Sequence, residues 1–174
     1  MIWQGIAVLA FVTVQRLAEL MLARRNTKRL LARGAYEVAA GHYPFMVLLH
    51  ATWLAVLWIL GPGPPIEIVP LILFALLQLG RIWVIFTLGE RWTTRIIVLP
   101  GEPLVKTGPY RLARHPNYWI VIGEFVVLPL VFDLPIVAIV FSLLNLAMLR
   151  VRIRDENRAL RGSANAEGQP DHTI

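Results

Sequence analysis

The chain passes from a polar connection into an apolar run at Gly108-Pro109-Tyr110-Arg111-Leu112-Ala113-Arg114-His115-Pro116-Asn117-Tyr118, which continues as Trp119-Ile120-Val121-Ile122. Pro116 has no backbone N–H and a fixed φ, so it suits the first turn of a helix. The residue before a proline favours an extended conformation, which places His115 at the helix entrance. Free N–H groups and the positive end of the helix dipole are concentrated there. The stretch therefore predicts a helix start that can bind a polar or anionic group, or else a basic loop at a membrane interface.

The composition is that of an integral membrane protein. Of 174 residues, 57% are hydrophobic and only 16% are charged, whereas about a quarter of a soluble domain is charged. Apolar runs on the order of 20 residues, long enough to cross a bilayer, recur along the chain. The first run has no signal-peptide cleavage pattern and is interpreted as a retained span. The absence of cysteine excludes disulfides, thiolate metal sites and a cysteine nucleophile.

Five apolar runs predict an all-α membrane bundle within a single domain, 1–162. The predicted spans are about 2–22, 44–60, 66–88, 118–131 and 135–149. The turn signal at 132–135 predicts that the last two spans form a helical hairpin. The longest polar connection, 89–118, contains the strand-like segment Trp92–Val98. A basic helix, 150–161, and a disordered tail, 163–174, are predicted to follow.

Positive charge predicts the orientation of the bundle. The turns after the second and fourth runs contain none of the 17 Lys and Arg residues. The positive-inside rule then places the N-terminus outside, with the loops 24–43 and 89–117 and the C-terminal helix in the cytoplasm. This orientation, together with anionic lipid headgroups, explains the net charge of +6, so nucleic-acid binding is not expected.

Polar residues inside the spans predict a buried layer. Arg16, Glu19, Arg81, Glu124 and Asn145 each lie a few residues from the predicted cytoplasmic end of a span, on the order of 5–10 Å below the surface. Arg16 and Glu19 are most simply a structural ion pair at i,i+3 spacing. Glu124 has no basic neighbour on its own helix and lies beneath the stretch that includes His115. It is therefore a functional candidate.

Residues 108–118 resemble the Gly-x-Tyr-(three residues)-Arg-His-Pro-x-Tyr signature of the isoprenylcysteine carboxyl methyltransferase family. The preceding segment, 102–107, also resembles that family. Arg152, Asp155, Glu156 and Leu160 are similar to its C-terminal Arg-(three residues)-Glu-Glu-(three residues)-Leu helix, although Asn157 replaces the second carboxylate. The resemblance covers about residues 80–161. Phospholipid methyltransferases and membrane sterol reductases carry a signature similar to that of 108–118.

The resemblance implies an O-methyltransferase whose cytoplasmic loop and C-terminal helix enclose S-adenosylmethionine. The residues it assigns to the cofactor pocket are Glu102, Pro103, Leu104, Val105, Tyr110, His115, Pro116, Asn117, Tyr118 and Glu156. Arg152 would face a lipidic acceptor that enters from the bilayer. Without the resemblance, Arg152 and Glu156 would be interpreted as an i,i+4 pair on a solvated helix.

The sequence leaves the methyl acceptor open. A prenylcysteine carboxylate, with a pKa of about 3.5, is already ionised and needs only an arginine to orient it. A phenolic acceptor, with a pKa of about 10, needs a general base, for which Glu124 and His115 are the candidates. Segments 33–35 and 41–44 look like a bacterial subgroup associated with alkylpyrone and alkylresorcinol methylation. His42 and His50 are otherwise most simply an interface residue and a hydrogen-bonded bundle residue.

Two other functions compete with a methyltransferase. An NADPH-dependent sterol-type reductase predicts a larger chain with extra basic residues for the 2′-phosphate. A non-catalytic scaffold that binds anionic lipid predicts no cofactor at all. A metal enzyme is not expected, because no histidine pair has i,i+3 or i,i+4 spacing. The sequence does not indicate an oligomeric state.

Overall fold

The computed structural model describes the backbone of residues 2–38, 40–103, 105–113 and 115–167, and side chains as far as Arg154. This part of the chain forms five α-helices: α1 (Ile2–Ala32), α2 (Tyr43–Leu60), α3 (Ile68–Leu88), α4 (Pro116–Val131) and α5 (Pro135–Glu167). All but α4 are long and apolar enough to cross a membrane. The predicted all-α membrane bundle is confirmed, and the protein is an integral membrane protein.

The first helix is longer than its predicted span. We expected a loop from residue 24, but α1 continues to Ala32. The basic segment consists mainly of Ala, Arg, Leu and Lys, which are good helix formers, and it contains no glycine or proline before Gly34. Gly34 has a φ of +90°, a left-handed conformation that suits the end of a helix. The prediction of a loop is therefore wrong for residues 24–32.

The last span and the basic helix after it are one element. α5 runs without a break from Pro135 to Glu167, so the predicted boundary at residue 150 does not exist. It also covers residues 163–167, which we expected to belong to a disordered tail. A fall in hydropathy marks the point at which a helix leaves the apolar layer of the membrane, and the helix itself can continue beyond that point. Residues 168–174 lie outside the described part of the chain.

The core fills the end of the bundle that contains the α2–α3 and α4–α5 turns. Ten buried residues form it: Leu9, Val12, Trp53, Leu57, Phe74, Phe125, Leu128, Val131, Phe132 and Phe141. The Trp53 and Phe125 rings stack with centroids 4.4 Å apart. α4 packs against both α3 and α5, which confirms the predicted hairpin of the last two helices.

The connections at the opposite end, which we call the site end, are tied together by two short strands. β1 (Tyr36–Val38) pairs antiparallel with β2 (Ile96–Val98), so the α1–α2 connection is hydrogen-bonded to the α3–α4 connection. β2 lies within the predicted strand-like segment, whereas β1 was not predicted. Asn26 of α1 adds a second link, since its amide donates to the carbonyls of Gly89 at 3.0 Å and Trp92 at 2.9 Å.

Candidate active site

The start of α4 has the predicted geometry. Pro116 is the first residue of the helix, and His115 before it has φ −133° and ψ 66°, outside the helical region. The His115 ring stacks on that of Tyr118, with centroids 5.1 Å apart and planes 16° from parallel. Pro116 therefore begins α4, and the rings of His115 and Tyr118 stack on each other at the start of the helix.

A short 3₁₀ turn, Gly108–Arg111, holds the preceding connection against α3. Gly108 has a φ of +55°, and a Cβ at this position would lie 2.6 Å from Thr87 Oγ1. No other residue fits this close approach without displacing α3 side chains. The glycine thus fixes how closely the connection, which includes Tyr110, lies against the bundle.

A cavity of about 680 Å³ opens beside this connection. Seven of the ten residues assigned to a cofactor pocket line it: Glu102, Pro103, Val105, Tyr110, His115, Asn117 and Tyr118. Pro116 does not line it and is buried at the start of α4. Leu104 and the side chain of Glu156 lie outside the described residues. The buried Asn117 Oδ1 atom has no hydrogen-bond partner among the residues that the structure describes.

The rim of this larger cavity is held by ion pairs. Glu102 pairs with Arg91 and also with Arg33, the residue directly after α1, at 2.5 Å to the latter. Arg91 Nη1 donates to the Pro103 carbonyl at 2.7 Å. The hydrogen bond from Arg91, reinforced by Arg33, holds the pKa of Glu102 below its usual value. Glu102 is therefore an ionised clamp between α1 and the loop.

Arg152 of α5 is the most highly connected side chain of the site. Its Nε donates to the Tyr118 hydroxyl at 2.9 Å, and its Nη1 donates to the Thr94 carbonyl at 2.8 Å. Nη1 also lies 3.2 Å from the Met46 sulfur. The residue is 9% exposed. Its contacts reach α2, α4 and the α3–α4 connection, so Arg152 is not the solvated residue of the alternative interpretation, while the side chain of Glu156 lies outside the described residues.

A second cavity, of about 300 Å³, lies on the other side of Arg152. All five helices contribute to its lining, and apolar side chains such as Leu20, Val47, Leu54 and Val121 predominate. Both cavities share the residues Trp92, Thr93, Asn117, Tyr118 and Arg152. Molecules bound in the two cavities would lie side by side at this common wall, which is the arrangement that a group transfer requires.

The predicted polar layer borders the smaller cavity and is more interconnected than the sequence suggested. Arg16 pairs with Glu19 at 2.8 Å, as expected, and also with Glu124 at 2.8 Å. Arg81 donates through Nε to Glu124 at 2.9 Å and pairs with Glu19 at 3.2 Å. The basic neighbours of Glu124 thus come from α1 and α3, and not from its own helix.

Glu124 does not line either cavity. Besides the two arginines, the Gln78 amide donates to it at 2.8 Å. It is 2% exposed, and its described contacts join α4 to α1 and α3. Its role as a catalytic base stays a prediction, while its structural role is evident from these pairs.

Sequence reasoning missed several residues of the site. Trp92 is buried, lines both cavities and has an indole N–H without a partner among the described residues. Asn26 is 1% exposed and anchors the Trp92 segment. Its position could have been found from its spacing of three residues from Ala23 and four from Leu30, which places it on their face of α1.

Comparisons with known proteins show the family of this chain. The profile of the isoprenylcysteine carboxyl methyltransferase family matches residues 69–162. An uncharacterised protein of Bacillus subtilis, YpbQ, is 37% identical over 92% of this chain and 97% of its own length. An uncharacterised protein of Haemophilus influenzae is 26% identical over 83% of this chain and 88% of its own length. No solved structure matches significantly. The chain belongs to the isoprenylcysteine carboxyl methyltransferase family and is a membrane methyltransferase.

Proposed function

We propose that this membrane methyltransferase transfers a methyl group from S-adenosylmethionine to an oxygen atom of a lipidic acceptor. The larger cavity would take the cofactor and the smaller cavity the acceptor. The observation that carries the proposal is the common wall of Arg152, Tyr118 and Asn117, because donor and acceptor must meet across it. Holding two reactants in line contributes roughly 7–11 kcal/mol in favourable cases.

The residues of the larger cavity suit this cofactor. Its volume of about 680 Å³ lies within the roughly 300–1,000 Å³ of small-molecule sites. Trp92, Tyr110 and Tyr118 offer aromatic faces that attract a sulfonium cation or stack on adenine. Asn117 Oδ1 is buried and no described residue donates to it, so a bound ligand would supply the donor. S-adenosylmethionine supplies, when bound, an electrophilic methyl group, so the chain needs to provide geometry and not a nucleophile.

The smaller cavity suits the tail of a lipid. Leu17 of α1 and Val47 of α2 line it and are also 51% and 41% exposed on the outside of the bundle. The cavity therefore reaches the surface that faces the membrane, between two helices that make few contacts with each other. An acceptor with a long apolar chain, either a prenylcysteine carboxylate or an alkylpyrone or phenolic lipid, would enter there. Arg152 would orient the oxygen atom of the acceptor that receives the methyl group.

We also propose that the site end faces the cytoplasm. Arg24, Arg25, Lys28, Arg91 and Lys106 belong to this end, whereas the turns 61–67 and 132–134 contain no lysine or arginine. The positive-inside rule then favours an outside N-terminus and a cytoplasmic cofactor cavity. A water-soluble donor would thus come from the cytosol.

Calorimetry in detergent tests the cofactor pocket. Wild-type protein should bind S-adenosylmethionine, and His115→Ala should weaken binding at least tenfold, because removal of the imidazole leaves Tyr118 without its stacked neighbour. That factor corresponds to about 1.4 kcal/mol. His42→Ala is the matched control, since His42 lines neither cavity. The same affinity for His115→Ala as for wild type, or no binding by wild type, would overturn the assignment.

A further inference from the structure

His50 presents an unpaired ring nitrogen in the smaller cavity. It lies on the face of α2 that lines the cavity, together with Tyr43, Met46, Val47 and Leu54. Its Nδ1 lies 2.8 Å from the Met46 carbonyl oxygen. A carbonyl can only accept, so Nδ1 carries the proton of the neutral ring and Nε2 keeps a lone pair. Nε2 has no hydrogen-bond partner among the described residues.

Asn145 of α5 is a second unpartnered polar group of the same cavity. It is 2% exposed and lines the cavity, yet its amide makes no hydrogen bond within the described part of the chain. Burial of an amide without a partner is unfavourable, so such a group indicates a ligand atom that completes it. An amide can both donate to and accept from a hydroxyl.

The other ionisable groups of the cavity wall are already engaged. They are Arg16 and Glu19 on α1, Tyr43 on α2, Arg81 on α3, Tyr118 on α4 and Arg152 on α5. Glu19 is paired with both Arg16 and Arg81, so its carboxylate is already occupied. Among the described lining residues, His50 is therefore the base that is free to take a proton.

Met46 connects this base to the common wall. Its carbonyl accepts from His50, while its sulfur contacts Arg152 Nη1 at 3.2 Å. His50 and Arg152, which would orient the acceptor oxygen, thus contact the same residue and line the same cavity. The Phe125 ring, edge-on at 4.9 Å, supports the imidazole from the side of α4.

We propose that His50 accepts the proton of a neutral acceptor hydroxyl, which Asn145 positions, so that the acceptor is an enolic or phenolic lipid and not a carboxylate. This inference rests on the proposed function. As the acceptor oxygen bonds to the transferred methyl carbon, its O–H bond breaks and the proton moves to Nε2. The electron pair of the broken carbon–sulfur bond stays on sulfur. A carboxylate acceptor is already ionised and has no proton for His50 to accept.

A cofactor-free titration tests the proton transfer directly. The probe is a dodecyl-substituted nitrophenol, whose ionised form absorbs visible light, added to full-length protein in detergent at neutral pH. Wild type should bind it mainly as phenolate. In His50→Asn the side-chain amide can still donate to the Met46 carbonyl, and the ionised fraction of the bound probe should fall about tenfold. His42→Asn should match wild type.

Two outcomes would overturn the inference: wild type fails to bind the probe saturably, or His50→Asn ionises it as wild type does. Should His50→Asn fail to fold, His50→Gln gives the same comparison. Because no cofactor is present, this result is independent of the calorimetric test of the proposed function.

A rate comparison completes the test. With S-adenosylmethionine, His50→Asn should methylate dodecylphenol about 10²–10⁴-fold more slowly than wild type, the usual effect of losing a general base. The nitrophenol, which is more readily ionised without help, should lose far less. A merely structural role for His50 would reduce both rates equally, and that result would contradict the proposal.

Discussion

Two sets of Arg–Glu pairs differ mainly in their surroundings. The buried layer of Arg16, Glu19, Arg81 and Glu124 lies among the helices, and the side chains of Arg81 and Glu124 are 4% and 2% exposed. The second set, which we call the rim pairs, lies at the site end and consists of Arg29 with Glu90 and of Glu102 with Arg33 and Arg91. The side chains of Arg29 and Glu90 are 50% and 60% exposed, and their N···O distance of 2.8 Å equals that of the buried pair Arg16–Glu124. Similar contacts therefore have different energetic weight, because water can solvate a rim charge that has lost its partner.

The two sets also hold different parts of the molecule. The buried layer joins α1, α3 and α4 beside the smaller cavity, while the rim pairs join α1 to the loop over the larger cavity. Loss of a buried partner leaves an uncompensated charge inside the bundle. Loss of a rim partner only loosens a loop. Three substitutions test this division, from the largest expected effect to the smallest.

Glu124→Ala should destabilise the protein by about 3–5 kcal/mol, the usual cost of removing one partner of a buried pair. Unfolding in detergent, followed by helical circular dichroism, measures the loss. Arg29→Ala, which breaks an exposed pair of similar length, should cost no more than about 1 kcal/mol. Equal losses for the two variants would mean that burial does not distinguish the layer from the rim.

Gly108→Ala should have an intermediate effect, on the order of 1–3 kcal/mol, because the new Cβ meets Thr87 and the residue keeps a positive φ. Thermal unfolding in detergent measures it. The double variant Gly108→Ala/Thr87→Ala should recover the part that is due to the clash. Gly41→Ala, with nothing near its Cβ, is the control. A wild-type melting temperature for Gly108→Ala would show that the loop does not depend on this close approach.

Glu102→Gln should have the smallest effect, present at neutral pH and absent in acid, where the wild-type carboxylate is itself protonated. Arg91 and Arg33 depress the pKa of Glu102 in the folded protein, so its clamp is fully present above the ordinary value of 4.5 and is lost as pH falls through the lower, folded value. Hydrogen exchange of the backbone amides of residues 99, 101 and 102, corrected for intrinsic rates, should show protection lost below about pH 4.5 in wild type only. A loss of protection at the same pH in Glu102→Gln would assign it to another group.

The sequence predicted the helices and strands better than the contacts between them. The five apolar runs, the helix start at Pro116 and the strand content of 96–98 depend on local residue types, and all three are confirmed. The pairing of Glu124 with Arg16 and Arg81 depends on the rotation of three helices about their axes. The strand Tyr36–Val38 depends on a partner some 60 residues further along the chain. Such relations are set by tertiary structure, which a local pattern does not contain.

The sequence likewise predicted the site residues that lie within one signature, but not those that come from separate segments. A contiguous signature such as 108–118 places its own residues near one another, and Tyr110, His115, Asn117 and Tyr118 do line one cavity. Trp92 and His50 belong to separate segments that reach the site only when α2 and α3 pack against α4. The sequence alone predicted that His50 is a hydrogen-bonded residue of the bundle, and its hydrogen bond to the Met46 carbonyl confirms this. It did not predict a role for the second ring nitrogen, Nε2.

The shortness of α4 has a consequence for the surrounding lipid. Its 16 residues span about 24 Å, some 6 Å less than a hydrocarbon layer of about 30 Å. Local thinning of the bilayer is one way to accommodate a segment this short. We therefore expect a thinner bilayer beside α4, where a dissolved molecule would meet a lipid whose tail stays among its neighbours.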